Sequence, residues 1–235
     1  MNLFEKSLIV LPARNEQSQI GAVLSKLLAL YPEAQILVVN DFSSDNTSAI
    51  VRHFPSVKLI ELPFWLGYGG ALQTGYKYAL RKGFDRLVQM DADGQHDPSE
   101  VIKLLEQLND ADIVVGSRFV GGTVAYKMPT VRRLGCKVLS TMGFLLTRMR
   151  IADPTSGFQA LSRHALEVAC NDHYPLDYPD IDVLILMHRH RLRVKEIPVQ
   201  MYPAEEKRGM HTGLQVWYYA IKMTLSMIVI MLRRA

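Results

Sequence analysis

Residues 85–98 read DRLVQMDADGQHDP, a short apolar run that ends in two aspartates, Asp91 and Asp93. An apolar run of this length is typical of a strand that is buried on both faces of a parallel sheet. Alternate side chains of an extended chain point the same way, so the two carboxylates should lie side by side. A cation relieves their repulsion, and oxygen ligands suit a hard ion such as Mg²⁺ or Mn²⁺. The stretch therefore predicts a buried strand with a metal site at its carboxyl end.

The residues that follow the two aspartates are predicted to have local structural roles. Asp97 stands directly before Pro98, a pair that is typical of the cap and first position of a helix. His96 is interpreted as a local hydrogen-bonding residue rather than a metal ligand. Both residues are therefore expected to shape the loop and to take no direct part in binding.

The apolar run belongs to a series that alternates with helical segments. Similar runs cover residues 7–11, 35–40, 57–62 and 112–116, and helical spacing covers residues 19–30, 45–53, 71–81 and 98–108. Strands that alternate with helices predict an α/β fold with a Rossmann-like, mainly parallel sheet flanked by helices. Such sheets bind ligands beyond the carboxyl ends of their strands. The residues that follow each strand are therefore the first candidates for function.

Each of the first three strands is followed by a segment that suits ligand binding. These segments read PARNE at 12–16, NDFSSDNT at 40–47 and GYGGA at 67–71. The first two can equally be turns and helix caps, because Asp, Asn and Ser are common there. The glycines of the third open a helix, where backbone N–H groups can approach a diphosphate. Their spacing differs from the dinucleotide fingerprint, which argues against a nicotinamide enzyme.

The composition predicts one globular domain with an uneven charge distribution. The chain has 235 residues, 49% hydrophobic and 21% charged, with a net charge of +4. Its two cysteines show no metal-ligand spacing and no disulfide framework, which favours a reducing compartment. Residues 118–152 contain seven basic residues and no acidic one. This stretch is either an ordinary solvated face or a surface for phosphate-rich partners or an anionic membrane. Nucleic acid is disfavoured, because no nucleic-acid-binding motif is present.

Seven short motifs together resemble those of a known family. They are LPARNE (11–16), VVNDFSSDNT (38–47), GYGGA (67–71), MDADGQHDP (90–98), VVGSR (114–118), DPTSGFQ (153–159) and EIPV (196–199). With them the chain resembles the family 2 inverting glycosyltransferases, and within these the dolichol-phosphate mannose synthase-like branch, which glycosylates polyprenyl phosphates. The resemblance implies the nucleotide-diphospho-sugar transferase (GT-A) type of fold. One departure is Asn40, where relatives often have an aspartate.

The resemblance also implies roles for individual residues. The residues expected to bind the nucleotide are Pro12, Ala13, Asn15, Glu16, Asp41 and Asp91. The expected ligands of Mg²⁺ or Mn²⁺ are Asp91, Asp93 and Gln95. At the point of transfer we expect Asp93 and Asp153 from the resemblance, and Arg118 and Arg132 from their suitability as hydrogen-bond donors to a phosphate. The positive charges of Arg133, Lys207 and Arg208 are expected to contact the acceptor or the diphosphate.

The nature of the acceptor decides the mechanism. A lipid phosphate is already an anion and needs no strong base, whereas a hydroxyl acceptor needs a carboxylate base within reach. Arginines at 118, 132 and 133 offer forked donors suited to a phosphate, although Arg133 can also merely flank a helix. The candidate bases for a hydroxyl acceptor are Asp177, Asp180 and Asp182, of which Asp182 is either structural or positions the acceptor.

The expected activity is metal-dependent, inverting transfer of a hexose from a UDP- or GDP-sugar to a polyprenyl phosphate, dolichyl or undecaprenyl. The first alternative is a family 2 enzyme that uses a saccharide or another hydroxyl acceptor. A non-catalytic nucleotide-sugar-binding protein is a further alternative. A nucleotidyltransferase is disfavoured, because its glycine-rich N-terminal signature is absent from this sequence.

The end of the chain predicts a contact with a membrane. Residues 214–232 form an apolar segment near spanning length, but Lys222 lies in its middle, where burial in a bilayer costs about 2.5–3.5 kcal/mol. Its polar stripe comprises Gln215, Tyr219, Lys222 and Ser226. We therefore expect residues 1–213 to form the catalytic domain and 214–235 an amphipathic helix in the membrane interface. The alternative is a helix docked on the core.

A second helix, residues 131–149, is expected beside it at the surface. The N-terminal apolar run is too short for a signal peptide and lacks a small-residue cleavage site. The expected location is cytoplasmic, peripheral on the cytoplasmic face of a membrane.

Overall fold

The computed structural model describes residues 3–121, 130–171, 174–175, 179–203 and 214–232. The strands are β1 (Ser7–Ala13), β2 (Gln35–Asn40), β3 (Val57–Glu61), β4 (Arg86–Gln89), β5 (Ile113–Ser117), β6 (Gln159–Ser162) and β7 (Val194–Pro198). The helices in these ranges are α1 (Ile20–Leu30), α2 (Thr47–Arg52), α3 (Tyr68–Lys82), α4 (Val101–Gln107), α5 (Thr130–Thr147), α6 (Arg163–Ala169), α7 (Ile181–Arg189) and α8 (Leu214–Leu232), and a 3₁₀ turn at Pro98–Glu100 precedes α4.

The strands form one seven-stranded sheet in the order β3-β2-β1-β4-β6-β5-β7. Strand β6 runs antiparallel to both of its neighbours, and the other described pairs are parallel. The predicted α/β class with a mainly parallel sheet is confirmed. The chain moves outward from β1 to β3 and then returns to the other side of β1 at β4. This reversal opens a crevice at the carboxyl ends of β1 and β4, where such sheets bind ligands.

The apolar strands are explained by burial on both faces of the sheet. In β1, Leu8 and Val10 join the core under α3, α6 and α7, whereas Ile9 and Leu11 join the core under α1 and α4. Alternate side chains of one strand thus enter two separate cores. This is why the predicted strands read as continuous apolar runs and show no polar alternation.

The predicted boundaries of the elements shift by a few residues. Helix α3 begins at Tyr68, before the predicted start at residue 71, because Gly67 precedes it with φ 84° and allows the sharp entry. The helix ends at Lys82 and is capped by Gly83, whose φ of 78° is the left-handed conformation that glycine favours. Strands β6 and β7 were not predicted. Strand β6 has only four residues, too few for a periodic signal.

The C-terminal helix α8 packs on α7 with one face and exposes the other. Met223, Met227 and Ile230 are buried in the core, whereas Leu225 is 56% and Leu232 79% exposed. The polar stripe faces inward at Ser226, whose hydroxyl donates to Asp182 Oδ2 at 2.5 Å. The helix is therefore docked by one face and keeps an apolar face outside. Among the described residues, none of the helices has both the length and the apolar character needed to cross a bilayer.

Asp97 ties three parts of the fold together. Its carboxylate accepts hydrogen bonds from Lys26 of α1 at 2.9 Å, from the Tyr202 hydroxyl at 2.5 Å and from the Ser99 backbone at 3.0 Å. Burial alone would raise the pKa of Asp97, but these hydrogen bonds outweigh it and lower the pKa to about 2. The expected capping role of Asp97 is confirmed, and the carboxylate also anchors α1 and the segment after β7.

We expect Asp97→Asn to lower the free energy of unfolding by about 2 kcal/mol at pH 7, since one pKa unit corresponds to about 1.4 kcal/mol. The folded pKa is depressed, so this stabilisation is present above about pH 4 and is lost as the pH falls towards 2. Urea denaturation at about pH 7, 5 and 3 measures the difference. Asp110→Asn, at an exposed aspartate, is the control. A wild-type advantage that stays constant from pH 5 to pH 3 would contradict this account.

Candidate active site

The loops that follow β1 and β2 are joined by hydrogen bonds. The Asn15 backbone donates to the Ser43 hydroxyl at 2.9 Å, and the Ser44 backbone donates to Asn15 Oδ1 at 2.8 Å. The Glu16 backbone donates to the Thr47 hydroxyl at 2.9 Å. Asn15 adopts φ 56°, a left-handed conformation that asparagine tolerates better than most residues. These bonds fix the first two predicted nucleotide segments to each other as one rim of the crevice.

The other predicted nucleotide residues lie under this rim. Pro12 and Ala13 are buried at the end of β1. The Asp41 carboxylate accepts from the Leu66 backbone at 2.8 Å and from the Gly67 backbone at 2.9 Å. Asp41 therefore fixes the backbone just before α3. The Gly67 N–H, which was expected to approach a diphosphate, donates to Asp41 instead.

Asn40, the departure from the family's usual aspartate, is hydrogen-bonded at both ends of its amide. Its amide nitrogen donates to the Ser48 hydroxyl at 2.5 Å, while its Oδ1 accepts from the Ser43 backbone at 3.2 Å. Asn40 thus organises the second loop from a buried position.

Exposed aromatic side chains near these loops were not singled out from the sequence. Phe42 is 56%, Phe64 59% and Trp65 63% exposed, and the Arg14 guanidinium lies 4.5 Å from the centre of the Trp65 ring. Exposed aromatic rings at the carboxyl edge of a sheet suit stacking against planar groups. The signal was present in the sequence, because Phe42 and Trp65 lie in the segments that follow β2 and β3.

Asp91 is held on both sides of its carboxylate. The Tyr68 hydroxyl donates to Oδ1 at 2.7 Å, and His96 Nε2 lies 3.7 Å from Oδ2. The Asp91 backbone donates to His96 Nδ1 at 3.0 Å, and the imidazole stacks on the Phe158 ring at 4.7 Å. This arrangement confirms His96 as a local hydrogen-bonding residue. Burial and the charge of Asp93 raise the pKa of Asp91, against the opposing effects of His96, Tyr68 and Arg118.

The Tyr68 hydroxyl keeps its proton in this environment. Burial, together with the neighbouring charge of Asp91, raises the pKa of Tyr68 well above its ordinary value. The hydroxyl therefore acts as a hydrogen-bond donor to Asp91.

Asp93 and Gln95 lie together beside Asp91. Asp93 Oδ1 accepts from the Gln95 backbone at 3.0 Å, and Oδ2 accepts from the Gln95 side-chain amide. In the described part of the chain, no cluster of three or more His, Cys, Asp or Glu side chains is arranged for a metal ion. Two carboxylates and an amide oxygen nevertheless fit Mg²⁺ or Mn²⁺, because these ions share their coordination with substrate phosphates and water. The donor set fits the predicted metal.

Arg118 and Asp153 form a buried ion pair. Arg118 Nε lies 2.7 Å from Asp153 Oδ2, and Nη2 lies 2.6 Å from Oδ1. Asp153 is fully buried. Burial opposes the charge of Arg118, but the hydrogen bond and charge of Asp153 outweigh it and raise the pKa of Arg118. The forked donor predicted to face a phosphate is thus largely engaged by Asp153, and its positive charge still acts on Asp91.

Glu196 of β7 holds the loop that carries Asp153. Its carboxylate accepts from the Ala152 backbone at 2.8 Å and from the Asp153 backbone at 2.7 Å. The Ser156 hydroxyl donates to the Gly116 carbonyl at 2.5 Å, which fixes the loop to β5. The motifs DPTSGFQ and EIPV are therefore parts of one structural unit.

The candidate base Asp182 is a buried structural acceptor. Oδ1 accepts from the backbones of Asp180 at 3.0 Å and Val183 at 2.9 Å, and Oδ2 accepts from Ser226. Burial raises the pKa of Asp182, against these hydrogen bonds. Of the two interpretations of Asp182, the structure supports the structural one.

The remaining predicted residues lie outside this cluster or outside the described atoms. Arg133 is exposed near the start of α5. Arg132 lies on the same helix, and its side chain is outside the described part of the structure. Lys207, Arg208 and the candidate base Asp177 are outside the described residues.

Comparison with known proteins identifies the family. The model of glycosyl transferase family 2 matches residues 8–169, which run from the second residue of β1 to the end of α6 and include the residues clustered around Asp91. The chain belongs to glycosyl transferase family 2. It is therefore a glycosyltransferase, and the predicted family and activity class are confirmed.

Two curated relatives extend the similarity beyond the matched domain. Undecaprenyl-phosphate mannosyltransferase of Micrococcus luteus is 32% identical over 88% of this chain and 87% of its own length. UDP-N-acetylglucosamine--dolichyl-phosphate N-acetylglucosaminyltransferase of Methanococcus voltae is 29% identical over 89% of this chain and 91% of its own length.

Solved structures share the fold of this glycosyltransferase. Glucosyl-3-phosphoglycerate synthase of Mycobacterium tuberculosis, crystallised with Mn²⁺, UDP-glucose and phosphoglyceric acid, has a TM-score of 0.73 at 20% identity. The match covers 98% of this chain and 81% of that structure. The predicted GT-A type of fold is confirmed.

The ion pair generates a stability prediction for the glycosyltransferase. Asp153→Leu should lower the free energy of unfolding by about 3–5 kcal/mol, because it leaves the Arg118 charge buried without a partner. The double variant Arg118→Met/Asp153→Leu should lose clearly less than the sum of the single variants. Glu167→Ala, which breaks the exposed pair with Arg163, should change stability by less than about 1 kcal/mol. Urea denaturation measures all four, and strictly additive losses would refute a coupled pair.

Proposed function

We propose that this glycosyltransferase moves a hexose from a UDP- or GDP-sugar to a polyprenyl phosphate, such as dolichyl or undecaprenyl phosphate, with inversion at the anomeric carbon. The names of the two curated relatives support this acceptor class. One observation in the chain itself carries the choice: Asp182, one of the three candidate bases for a hydroxyl acceptor, is 1% exposed and accepts three hydrogen bonds. A carboxylate in that state is poorly placed to take a proton from an acceptor.

The proposed reaction is a single displacement. An oxygen of the acceptor phosphate forms a bond to the anomeric carbon while the bond from that carbon to the donor diphosphate breaks. The attacking oxygen is already an anion, so the protein supplies no strong base. A bound Mg²⁺ or Mn²⁺ would neutralise charge on the leaving diphosphate. We assign Asp91, Asp93 and Gln95 to hold that ion.

The other residues bind and orient the two substrates. The segments at 12–16 and 40–47 are assigned to the base and ribose of the donor, because they share one rim of the crevice. The cationic residues assigned to the acceptor phosphate or the diphosphate are Arg118, Arg132, Arg133, Lys207 and Arg208. Asp153 keeps Arg118 charged and fixed in place. The charge of Arg118, which Asp153 holds beside Asp91, supports a phosphate acceptor.

We further propose that helices α5 and α8 attach the protein to the cytoplasmic face of a membrane. Both helices pack on α7. Their exposed apolar side chains are Leu134, Val138, Leu145 and Leu146 on α5 and Leu225, Ile228, Val229 and Leu232 on α8. Exposed basic residues of and just after α5 are Arg133, Lys137, Arg148 and Arg150. Apolar side chains beside basic ones suit an interface of anionic lipid. Residues 1–213 would then be the catalytic domain and 214–235 a membrane-facing helix.

The proposed activity is tested by incubating the purified enzyme with Mn²⁺, a panel of labelled UDP- and GDP-sugars, and either polyprenyl phosphate or the matching polyprenol. We expect label in the lipid extract with polyprenyl phosphate and much less with the alcohol. Excess chelator should abolish transfer, as should Asp93→Ala. Equal transfer to the alcohol would favour the hydroxyl-acceptor alternative. The absence of transfer from every donor would contradict the proposal.

Single-turnover rates separate the two mechanisms further. Arg132→Met should slow transfer about ten- to a hundredfold through loss of a charge-assisted contact. Asp182→Asn should change the rate by less than about threefold, because Oδ1 can still accept from the backbone and the amide can replace the buried carboxyl group. A true general base would cost about 10²–10⁴-fold. An Asp182→Asn defect larger than the Arg132→Met defect, in a variant of unchanged thermal stability, would overturn the phosphate-acceptor mechanism.

The membrane proposal predicts a loss of lipid binding without unfolding. Replacing Leu225, Ile228 and Leu232 together by Ser should weaken binding to vesicles of phosphatidylglycerol and phosphatidylcholine at least tenfold, because each buried apolar side chain contributes about 1.5–3 kcal/mol. Leu30→Ser, at an exposed leucine of α1, is the matched control. Sedimentation with vesicles measures binding, and unchanged sedimentation of the triple variant would exclude this face as the anchor.

A further inference from the structure

The Tyr68 hydroxyl contacts the Asp91 carboxylate, although Tyr68 is not among the residues assigned to the metal, the donor or the acceptor. Tyr68, the first residue of α3, donates to Asp91 Oδ1 at 2.7 Å from 23 residues away in the sequence. On the other side, His96 Nε2 lies 3.7 Å from Oδ2. A carboxylate that is hydrogen-bonded on one oxygen has less rotational freedom than a free one. Its remaining lone pairs are then presented to a ligand in a defined direction.

Gly157 provides the space in which this hydrogen bond forms. A Cβ atom at position 157 would lie 2.7 Å from the Tyr68 hydroxyl oxygen and 3.0 Å from Asp91 Oδ2. Both distances are shorter than van der Waals contact. Any other residue at this position would therefore force the tyrosine, the aspartate or the loop itself to shift. The glycine of the DPTSGFQ motif thus closes the third side of the Asp91 carboxylate.

A buried polar network holds the backbone of Gly157 through its carbonyl group. The Gln89 side-chain amide donates to the Gly157 carbonyl at 3.0 Å, and the Tyr76 hydroxyl donates to Gln89 Oε1. The hydroxyls of Tyr76 and Tyr174 lie 3.4 Å apart. Because Gln89, Tyr76 and Tyr174 are buried and hydrogen-bonded, the network holds the Gly157 loop in one position relative to β4. The close approach of Gly157 to Asp91 is therefore built into the core.

We propose that Tyr68 is a positioning residue that orients the Asp91 carboxylate for the donor's divalent ion, in the space that Gly157 leaves open. This inference rests on the proposed function, because that function assigns the ion to Asp91, Asp93 and Gln95. Tyr68 would act through Asp91 and not as a ligand of the ion. Loss of its hydroxyl should weaken metal binding far more than it weakens the fold.

The test measures binding of Mn²⁺ in the presence of GDP and, separately, of UDP, by the electron paramagnetic resonance signal of free Mn²⁺. Tyr68→Phe should bind Mn²⁺ about 10- to 100-fold more weakly than the wild type, the usual effect of removing a partner that orients a metal ligand. In turnover assays the Mn²⁺ concentration for half-maximal rate should rise by a similar factor, while the rate at saturating Mn²⁺ changes less. Tyr78→Phe, on the same helix and with no hydroxyl hydrogen bond among the described residues, is the matched control.

A second substitution tests the geometry. Gly157→Ala should weaken Mn²⁺ binding in the wild type, but its additional effect in Tyr68→Phe should be smaller, because the 2.7 Å contact with the hydroxyl is gone. Mn²⁺ binding by Tyr68→Phe equal to that of the wild type would overturn the inference, as would fully multiplicative losses in the double variant. If the wild type itself binds no Mn²⁺ with either nucleotide, the metal assignment in the proposed function fails first, and the two failures are thereby distinguished.

Discussion

The buried ion pair between Arg118 and Asp153 is the interaction on which the geometry of the active site depends. Asp153 is fully buried, so its charge is stable only with Arg118 and the backbone donors beside it. The pair joins the end of β5 to the loop before β6. Glu196 of β7 accepts hydrogen bonds from two backbone amides of the same loop. The loop then carries Gly157 to the Asp91 carboxylate, where Tyr68 completes the enclosure. Contacts among β5, the loop before β6 and β7 thus set the position of the Asp91 carboxylate.

Two buried carboxylates of this protein serve the fold, and their surroundings show why. Asp97 and Asp182 each accept from two or more donors of the protein. Their oxygens are used, and a ligand would have to displace those bonds. Asp91 keeps 28% of its side chain exposed and lies beside a second carboxylate. Asp91 and Asp93 thus combine access from the crevice with the mutual repulsion that a cation relieves. Asp93 also accepts two hydrogen bonds, both from Gln95, so the difference lies in access and charge rather than in the number of bonds.

The terminal helix has apolar side chains on both of its faces, since Met223, Met227 and Ile230 are buried in the core. Ser226, from its polar stripe, faces the interior and binds Asp182, whereas Leu225, Ile228 and Leu232 face outward. The buried hydrogen bond with Asp182 makes this orientation specific, because rotation of the helix would leave the carboxylate without its hydroxyl partner. The outward apolar face then has no place in the core. An arrangement of this kind couples the helix to the catalytic domain on one side and leaves the other side for lipid, as we propose.

The sequence by itself determined the α/β class, the paired aspartates at the end of β4, the local role of His96 and the bounds of the terminal helix. These features depend on periodicity and on near neighbours, which a sequence displays directly. The antiparallel strand β6, the Asp153 partner of Arg118, the hydrogen bonds of Asp41 with the backbone before α3 and the contact of Tyr68 with Asp91 were decided only by the tertiary structure. Arg118 and Asp153 are 35 positions apart, and Tyr68 and Asp91 are 23 apart. No local pattern encodes such pairings, because they arise only when the order of strands in the sheet brings the ends of β4, β5 and β6 together.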